Sequence, residues 1–113
     1  MKILVINGHP DQESYCQAIF QTIVETIDSN RHELKVINLN EEDFDPVLRY
    51  GYRKRMEEDS FILRSQEWIQ WADHLIFVYP IWWSSLPSLM KGWIDRVFTP
   101  GIAYSSNDQG SFI

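Results

Sequence analysis

Cysteine is nearly absent from this sequence of 113 residues, since Cys16 is the only one. A lone cysteine excludes an internal disulfide framework and a cysteine-rich zinc site. Basic residues are also few, with 10 Lys and Arg against 16 Asp and Glu and a formal net charge of -6. Nucleic-acid binding needs a net basic face, so this class of function is disfavoured. No apolar run approaches the ~20 residues of a membrane span, and the short N-terminal run does not resemble a secretory leader, so we expect a soluble cytoplasmic protein.

The composition is that of an ordinary globular domain. Apolar residues make up 44% and charged residues 23% of the chain, which argues against disorder. A chain of this length buries about two-thirds of its unfolded surface, which is enough for one hydrophobic core. We therefore expect a single domain over residues 1–113.

Apolar patterning predicts three strands that alternate with three helices. Short β-branched runs indicate the strands, and apolar residues at spacings of three and four indicate the helices. The predicted strands are Lys2–Asn7, Glu33–Leu39 and His74–Tyr79, and the helices run from about Ser14 to Ser29, from a cap at Asp59 or Ser60, and from a cap at Ser85 to a stop at Pro100-Gly101. This order predicts an α/β fold with a three-layer, doubly wound parallel sheet, in which the second strand is an outer one.

The loop after the first strand is a candidate phosphate site, because ligands bind at the carboxyl ends of the strands in such sheets. Gly8–Ser14 leads into a helix N-terminus, where free N–H groups and the helix dipole attract anions, and both His9 and Ser14 can donate to a phosphate. The loop has neither Gly-x-Gly-x-x-Gly nor the Gly-Lys-Ser/Thr of a P-loop, so neither of these nucleotide sites is supported. The alternative is a capped helix with a surface histidine, which repulsion of a phosphate by Asp11 and Glu13 would favour.

The loop after the third strand, Pro80–Ser84, contains two adjacent tryptophans, Trp82 and Trp83. Neighbouring side chains at a strand end point to opposite sides, so at least one indole is expected at the crevice. A large flat apolar surface there suits a flat aromatic ligand such as a flavin or a quinone. The alternative is that both rings cap the core.

Three motifs are more specific than this general pattern. They are Gly8-His9-Pro10 with Ser14, then Tyr79–Ser84 with Leu86-Pro87, and finally Leu89–Phe98 followed by Gly101-Ile102-Ala103-Tyr104. Together they resemble the flavodoxin-like NAD(P)H:quinone oxidoreductase family. The resemblance implies a flavodoxin-like fold that is truncated after the third βα unit, so that residues 1–113 form a single, partial domain.

The resemblance also implies a flavin cofactor, FAD or FMN. NAD(P)H would reduce it and a quinone would reoxidise it, in a ping-pong transfer of two electrons as a hydride. The residues implied at its phosphate or pyrophosphate end are His9, Ser14, Tyr15 and Cys16. Those implied around its isoalloxazine ring are Pro80, Ile81, Trp82, Trp83 and Ser84. Tyr104 would face the quinone or nicotinamide pocket across a homodimer interface, and no metal is implied.

The sequence departs from the family at one residue and in its length. Cys16 stands where many relatives have Asn, which indicates either a weakened hydrogen bond to the cofactor or, as we favour, a small buried apolar residue. The relatives continue for two further strands and helices, which include a third flavin-binding loop. The alternative to an enzyme is therefore a non-catalytic or regulatory module that has lost full flavin binding through truncation. An electron-transfer flavodoxin fits less well, because the first loop is not rich in Ser, Thr and Gly.

The third strand would be left with an open edge if no fourth strand covered it. Leu75–Tyr79 is apolar and uncharged, and such an edge is prone to pair with another chain. We therefore expect a dimer, formed through this edge or through the Trp-rich face.

Overall fold

A computed structural model of the protein describes residues 1–102, 105–107 and 110–112. Its elements, in chain order, are β1 (Lys2–Asn7), α1 (Tyr15–Thr26), β2 (Glu33–Asn38), a short 3-10 turn (Leu39–Glu41), α2 (Ser60–Trp71), β3 (His74–Val78), α3 (Ser88–Val97), β4 (Ser105–Asn107) and β5 (Gly110–Phe112). The alternation of strands and helices follows the sequence prediction up to α3. Among the described residues, no helix has the length and apolarity needed to cross a membrane.

β1 is the centre of a three-stranded parallel sheet with the order β2-β1-β3. Its last residue, Asn7, lies in register with Asn38 at the end of β2 and with Val78 at the end of β3. The carboxyl ends of the three strands therefore meet at one edge of the sheet. β2 is an outer strand, as predicted, while β4 and β5 form a separate antiparallel pair.

Helices cover both faces of the sheet, which gives the fold three layers. The side chains of β1 alternate, as expected for a strand: Leu4 and Ile6 pack with α2 and α3, whereas Ile3 and Val5 pack with α1 around Phe20. All four β1 side chains are buried. The predicted three-layer, doubly wound α/β fold with a doubly covered first strand is thus confirmed.

Two helices begin at residues whose side chains cap them. Ser14 caps α1, because its hydroxyl oxygen accepts from the N–H of Gln17 at 3.1 Å. Asp59, rather than Ser60, caps α2 and accepts from the N–H of Phe61 at 2.9 Å. A cap of this kind is worth about 1 kcal/mol of stability.

α3 begins later than the sequence predicts. Ser85 is the predicted cap, whereas the helix starts at Ser88 and Pro87 occupies the cap position. Ser85 instead closes a tight turn, in which it exchanges two backbone hydrogen bonds of 3.0 Å with Trp82. Because this turn uses both backbone groups of Ser85, the helix cannot begin there.

Several elements also end earlier than predicted, namely α1 at Thr26, β2 at Asn38, β3 at Val78 and α3 at Val97. The backbone leaves the regular conformation at the next residue in each case. Leu39, for example, enters the 3-10 turn, and Ile27 is already extended. Fraying of this size at element ends is common, because the terminal residues contribute few hydrogen bonds.

α3 is anchored by the residues of the last sequence motif. Trp93 is completely buried, and its Nε1–H donates to the hydroxyl of Ser65 on α2 at 3.0 Å. Arg96 donates to a backbone carbonyl of the segment before α2 at 2.8 Å. A Cβ atom at Gly92 would collide with the backbone of Pro46 in that same segment. Packing therefore accounts for the glycine, the tryptophan and the arginine of this motif.

Candidate functional site

The loops after β1 and β3 lie side by side at the carboxyl edge of the sheet. The N–H of Gly8 donates to the carbonyl of Val78 at 2.8 Å, which joins the two strands at the start of the first loop. Beyond this bond, the rings of His9 and Trp82 meet edge to face, with their centroids 5.2 Å apart. A Cβ atom at Gly8 would collide with the side chain of Met90 on α3. The structure thus brings the two predicted loops together, and the glycine leaves room for Met90 of α3.

Hydrogen bonds between side chains and nearby backbone groups shape the first loop. The N–H of His9 donates to Asn7 Oδ1 at 3.1 Å, that of Asp11 to His9 Nδ1 at 3.0 Å, and that of Glu13 to Asp11 Oδ1 at 3.0 Å. Each bond links a side chain to the backbone two residues further on, as in an Asx turn. Because His9 Nδ1 is an acceptor, the neutral imidazole carries its proton on Nε2 and can donate it to a ligand.

The start of α1 presents a group of hydrogen-bond donors. The hydroxyl oxygen of Ser14 accepts from the N–H of Gln17, so its proton is available to a ligand. The N–H groups of Tyr15 and Cys16 have no acceptor within the described part of the chain. Each of these groups, like His9 Nε2, can donate to a phosphate, which the positive end of the helix dipole also favours.

The side chains around these donors differ in exposure. Tyr15 is 82% exposed, so its ring is open to a ligand or to solvent. Cys16 is half-buried, and burial raises the pKa of its thiol above the ordinary value. The thiol is therefore protonated at neutral pH and adds no negative charge. Asp11 and Glu13 are exposed, so water screens their repulsion of a phosphate.

The second loop presents its aromatic side chains to the surface. Trp82 is 44% exposed and Trp83 is 99% exposed, so the alternative in which both rings cap the core is wrong. Ile81 is 73% exposed, and Pro80 is half-buried. A recess of about 300 Å³ lies beside the loop, and it is lined by Tyr79, Ile81, Ser84, Ser85 and Leu86. The site residues predicted for a flat ring therefore lie on an accessible surface.

The turn that carries Trp83 is strained. Trp83 and Ser84 have φ angles of 53° and 59°, and a left-handed backbone costs a residue other than glycine about 1–2 kcal/mol. Both residues lie between Trp82 and Ser85, whose mutual backbone hydrogen bonds hold the turn closed. Strain of this kind is typical of functional sites, where the surrounding structure maintains it.

An amide network beneath the first loop is missed by the sequence analysis. Oε1 of Gln17 accepts from the Nδ2 atoms of Asn7 and Asn38, each at 3.0 Å, and of Asn40 at 3.1 Å. Asn40 Nδ2 also donates to the carbonyl of His9 at 3.2 Å. The available sequence signal is an asparagine at the end of two neighbouring strands, which the strand register brings side by side.

A second cavity, of about 350 Å³, is formed chiefly by the segment between β2 and α2. Its lining consists of Asp45, Arg49, Tyr50, Met56, Glu57, Glu58, Asp59 and Arg96. The guanidinium of Arg49 donates to the carboxylate of Asp45 at 2.6 Å and lowers the pKa of that carboxyl. The carboxylates in the lining outnumber the guanidinium groups, so this cavity disfavours a phosphate.

The remaining predicted site residue, Tyr104, lies outside the described residues. The described ranges contain no group of three His, Cys, Asp or Glu side chains that could hold a metal ion. The geometry of the candidate site is therefore that of the loops after β1 and β3.

A family model for the flavodoxin-like fold matches residues 1–112 of the chain. The match extends over all the described elements, and the chain belongs to this family. The sheet order, the three layers and the position of the two loops agree with this assignment. The resemblance that the three sequence motifs suggest is thus confirmed.

Some of the proteins to which the chain is similar are named as enzymes that act on quinones. The chain is 29% identical to ribosyldihydronicotinamide dehydrogenase (quinone) of Rattus norvegicus, over 91% of this chain and 53% of that protein. The solved structure of Smu.1420 from Streptococcus mutans matches with a TM-score of 0.84 and 35% identity, over 98% of this chain and 60% of that one. The NAD(P)H:quinone oxidoreductase from Methanothermobacter marburgensis matches with a TM-score of 0.77 and 28% identity, over 93% of this chain and 57% of that one. The chain spans about half the length of the curated relatives that it matches.

Proposed function

We propose that this protein is a flavin-dependent NAD(P)H:quinone oxidoreductase. The observation that carries the proposal is the junction of two loops, where His9 touches Trp82 with ring centroids 5.2 Å apart. The loop that carries the phosphate donors therefore lies next to the loop that carries the exposed indoles. A ligand with a phosphate tail and a flat ring needs this layout. The name of the Methanothermobacter relative supports NAD(P)H and a quinone as the substrates. The name of the rat relative supports a dihydronicotinamide donor and a quinone.

Each loop has its own task in this proposal. The amides of Tyr15 and Cys16, the hydroxyl of Ser14 and Nε2 of His9 hold the phosphate. A bound flavin would supply the two-electron hydride chemistry between NAD(P)H and the quinone, in a ping-pong order. FMN and FAD both carry the phosphate that the first loop can bind, so the proposal covers either cofactor.

The second loop positions the ring of the cofactor. The indole of Trp83 is almost entirely exposed and offers a stacking face. The turn fixes the backbone from which this side chain projects. Trp82, packed against His9, would lie between the ring and the phosphate of a bound flavin. The apolar side chains of Pro80 and Ile81 and the hydroxyl of Ser84 line the surface beside Trp82.

We also propose that the chain is cytoplasmic and forms a homodimer. The single cysteine, Cys16, is a free thiol, which suits a reducing compartment. In the dimer, Tyr104 of one copy would face the substrate pocket of the other. Within residues 1–102, 105–107 and 110–112, β3 pairs only with β1, and an open strand edge supports association with a second copy.

A second candidate is a non-catalytic or regulatory module of the same fold. The fact that favours it is that the chain spans 53% of the rat relative. A module of this kind would keep the described fold without retaining a flavin. Retention of the flavin, and its reduction, therefore distinguish the two candidates.

An absorption spectrum tests the enzymatic function. The purified chain is incubated with FMN or FAD and separated from free flavin by gel filtration. We expect the protein to retain the yellow absorbance, to bleach under nitrogen when NADH or NADPH is added, and to regain its colour when a soluble quinone is added. A protein that stays colourless, or that holds a flavin which neither NADH nor NADPH bleaches, would contradict the enzyme and favour the module.

A further inference from the structure

The amide network beneath the first loop is more elaborate than core packing requires. Asn7 is fully buried and Asn38 is 8% exposed, and both donate to the same oxygen of Gln17. A carbonyl oxygen has two lone pairs, yet this one accepts from a third donor, Asn40. Apolar side chains at these strand ends would fill the space without any need for polar partners.

The side chain of Asn40 makes the network energetically less favourable. Its Oδ1 atom is buried and accepts no hydrogen bond within the described part of the chain. An unsatisfied buried acceptor is unfavourable, so stability alone does not account for this side chain. The two bonds that Asn40 makes both use its Nδ2 group, which points to donation as its role.

The network holds both backbone polar groups of His9. Asn7 Oδ1 accepts from the N–H of His9 at 3.1 Å, and Asn40 Nδ2 donates to its carbonyl at 3.2 Å. The peptide groups on both sides of His9 are therefore fixed. Gln17 connects these two asparagines to the first turn of α1, where its own N–H binds the Ser14 cap. The ends of β1 and β2, the loop and the helix start thus form one hydrogen-bonded unit.

We propose that Asn40 and Gln17 are positioning residues for the phosphate end of the cofactor site. They hold the backbone of His9 in a fixed relation to the start of α1. His9 Nε2–H and the amides of the first helical turn are then already arranged to bind one phosphate before the ligand arrives. This inference rests on the proposed function, and it goes beyond it in assigning a role to residues that would not touch the cofactor.

A positioning role for Asn40 predicts which flavins should bind more weakly when its amide is lost. Loss of the Asn40 amide would loosen the phosphate end and leave the ring surface at Trp83 unchanged. FMN carries a phosphate and riboflavin does not, although both have the same ring and ribityl chain. The two ligands therefore separate a positioning role at the phosphate from a general effect on the fold.

The test compares Asn40→Ala with the unaltered chain by quenching of flavin fluorescence. We expect the affinity for FMN to fall about fivefold to tenfold, as for the loss of one or two hydrogen bonds, and the affinity for riboflavin to change by less than about twofold. Asn30→Ala is the matched control, because Asn30 is exposed in the turn before β2 and its backbone bond to Asp28 is unaffected. We expect this control to bind both ligands as the unaltered chain does.

Far-UV circular dichroism establishes that each variant is folded. If Asn40→Ala does not fold, Asn40→Ser replaces it, because a serine hydroxyl is too short to reach both the His9 carbonyl and Gln17. An unchanged FMN affinity, or a parallel loss for FMN and riboflavin, would overturn the positioning role while the proposed function stands. An unaltered chain that binds neither ligand would reject the proposed function, and the positioning role with it.

Discussion

Trp83 combines nearly complete exposure with a left-handed backbone at φ 53°. Its side chain makes little contribution to packing, and its backbone conformation favours glycine. A tryptophan at this position therefore reduces stability locally and gains nothing within the monomer. We propose ligand stacking as the reason for this residue, and substitution can separate the contribution of stacking from that of backbone strain.

Replacement of Trp83 by alanine and by glycine separates stacking from strain. Both variants remove the indole, so we expect flavin affinity to fall roughly tenfold in each. Glycine also relieves the backbone strain. The free energy of unfolding of Trp83→Gly should therefore be about 1 kcal/mol higher than that of Trp83→Ala. Flavin titration and urea denaturation measure the two effects. Unchanged affinity in Trp83→Ala would remove this residue from the site, and a less stable glycine variant would argue against the strained turn.

The strands illustrate, at the scale of elements, which boundaries can be read from a sequence. β1 spans the predicted Lys2–Asn7, because a continuous apolar run closed by Gly8 marks both of its ends. The start of α3 could not be predicted in the same way. Ser85 has the chemistry of a helix cap, but its backbone groups are used by the turn with Trp82, and no local pattern distinguishes these two uses of serine.

β3 pairs only with β1 among the described residues, so its outer edge offers unpaired N–H and carbonyl groups. Such an edge promotes association. We expect light scattering to give a mass of twice the chain mass of 13.4 kDa at micromolar concentration. Association through an apolar edge should persist at high salt, because ionic screening does not weaken it. A monomer at every concentration and salt level would contradict association through this edge.

For the molecule as a whole, the sequence predicts the position of the site. It does not predict the hydrogen bonds and the backbone conformation that hold the two loops in place. The order of strands and helices places the loops after β1 and β3 at one edge, because parallel strands share their carboxyl ends. The amide network depends on the pairing of Asn7 with Asn38 and on the reach of Gln17 from α1, which only the packed structure defines. The left-handed backbone at Trp83 and Ser84 could not be predicted from the sequence either, since tryptophan and serine are unusual in turns with positive φ angles.

A nuclear magnetic resonance titration of the ¹⁵N-labelled chain with FMN tests the central claim that the two loops form one binding cleft. We expect the amide signals of Tyr15 and Cys16 and the indole Nε1–H signals of Trp82 and Trp83 to shift together, with a common half-saturation concentration. Signals from the acidic cavity around Asp45 should stay in place. Shifts confined to one of the two loops, or found at that acidic cavity instead, would show that the two loops do not form one binding cleft.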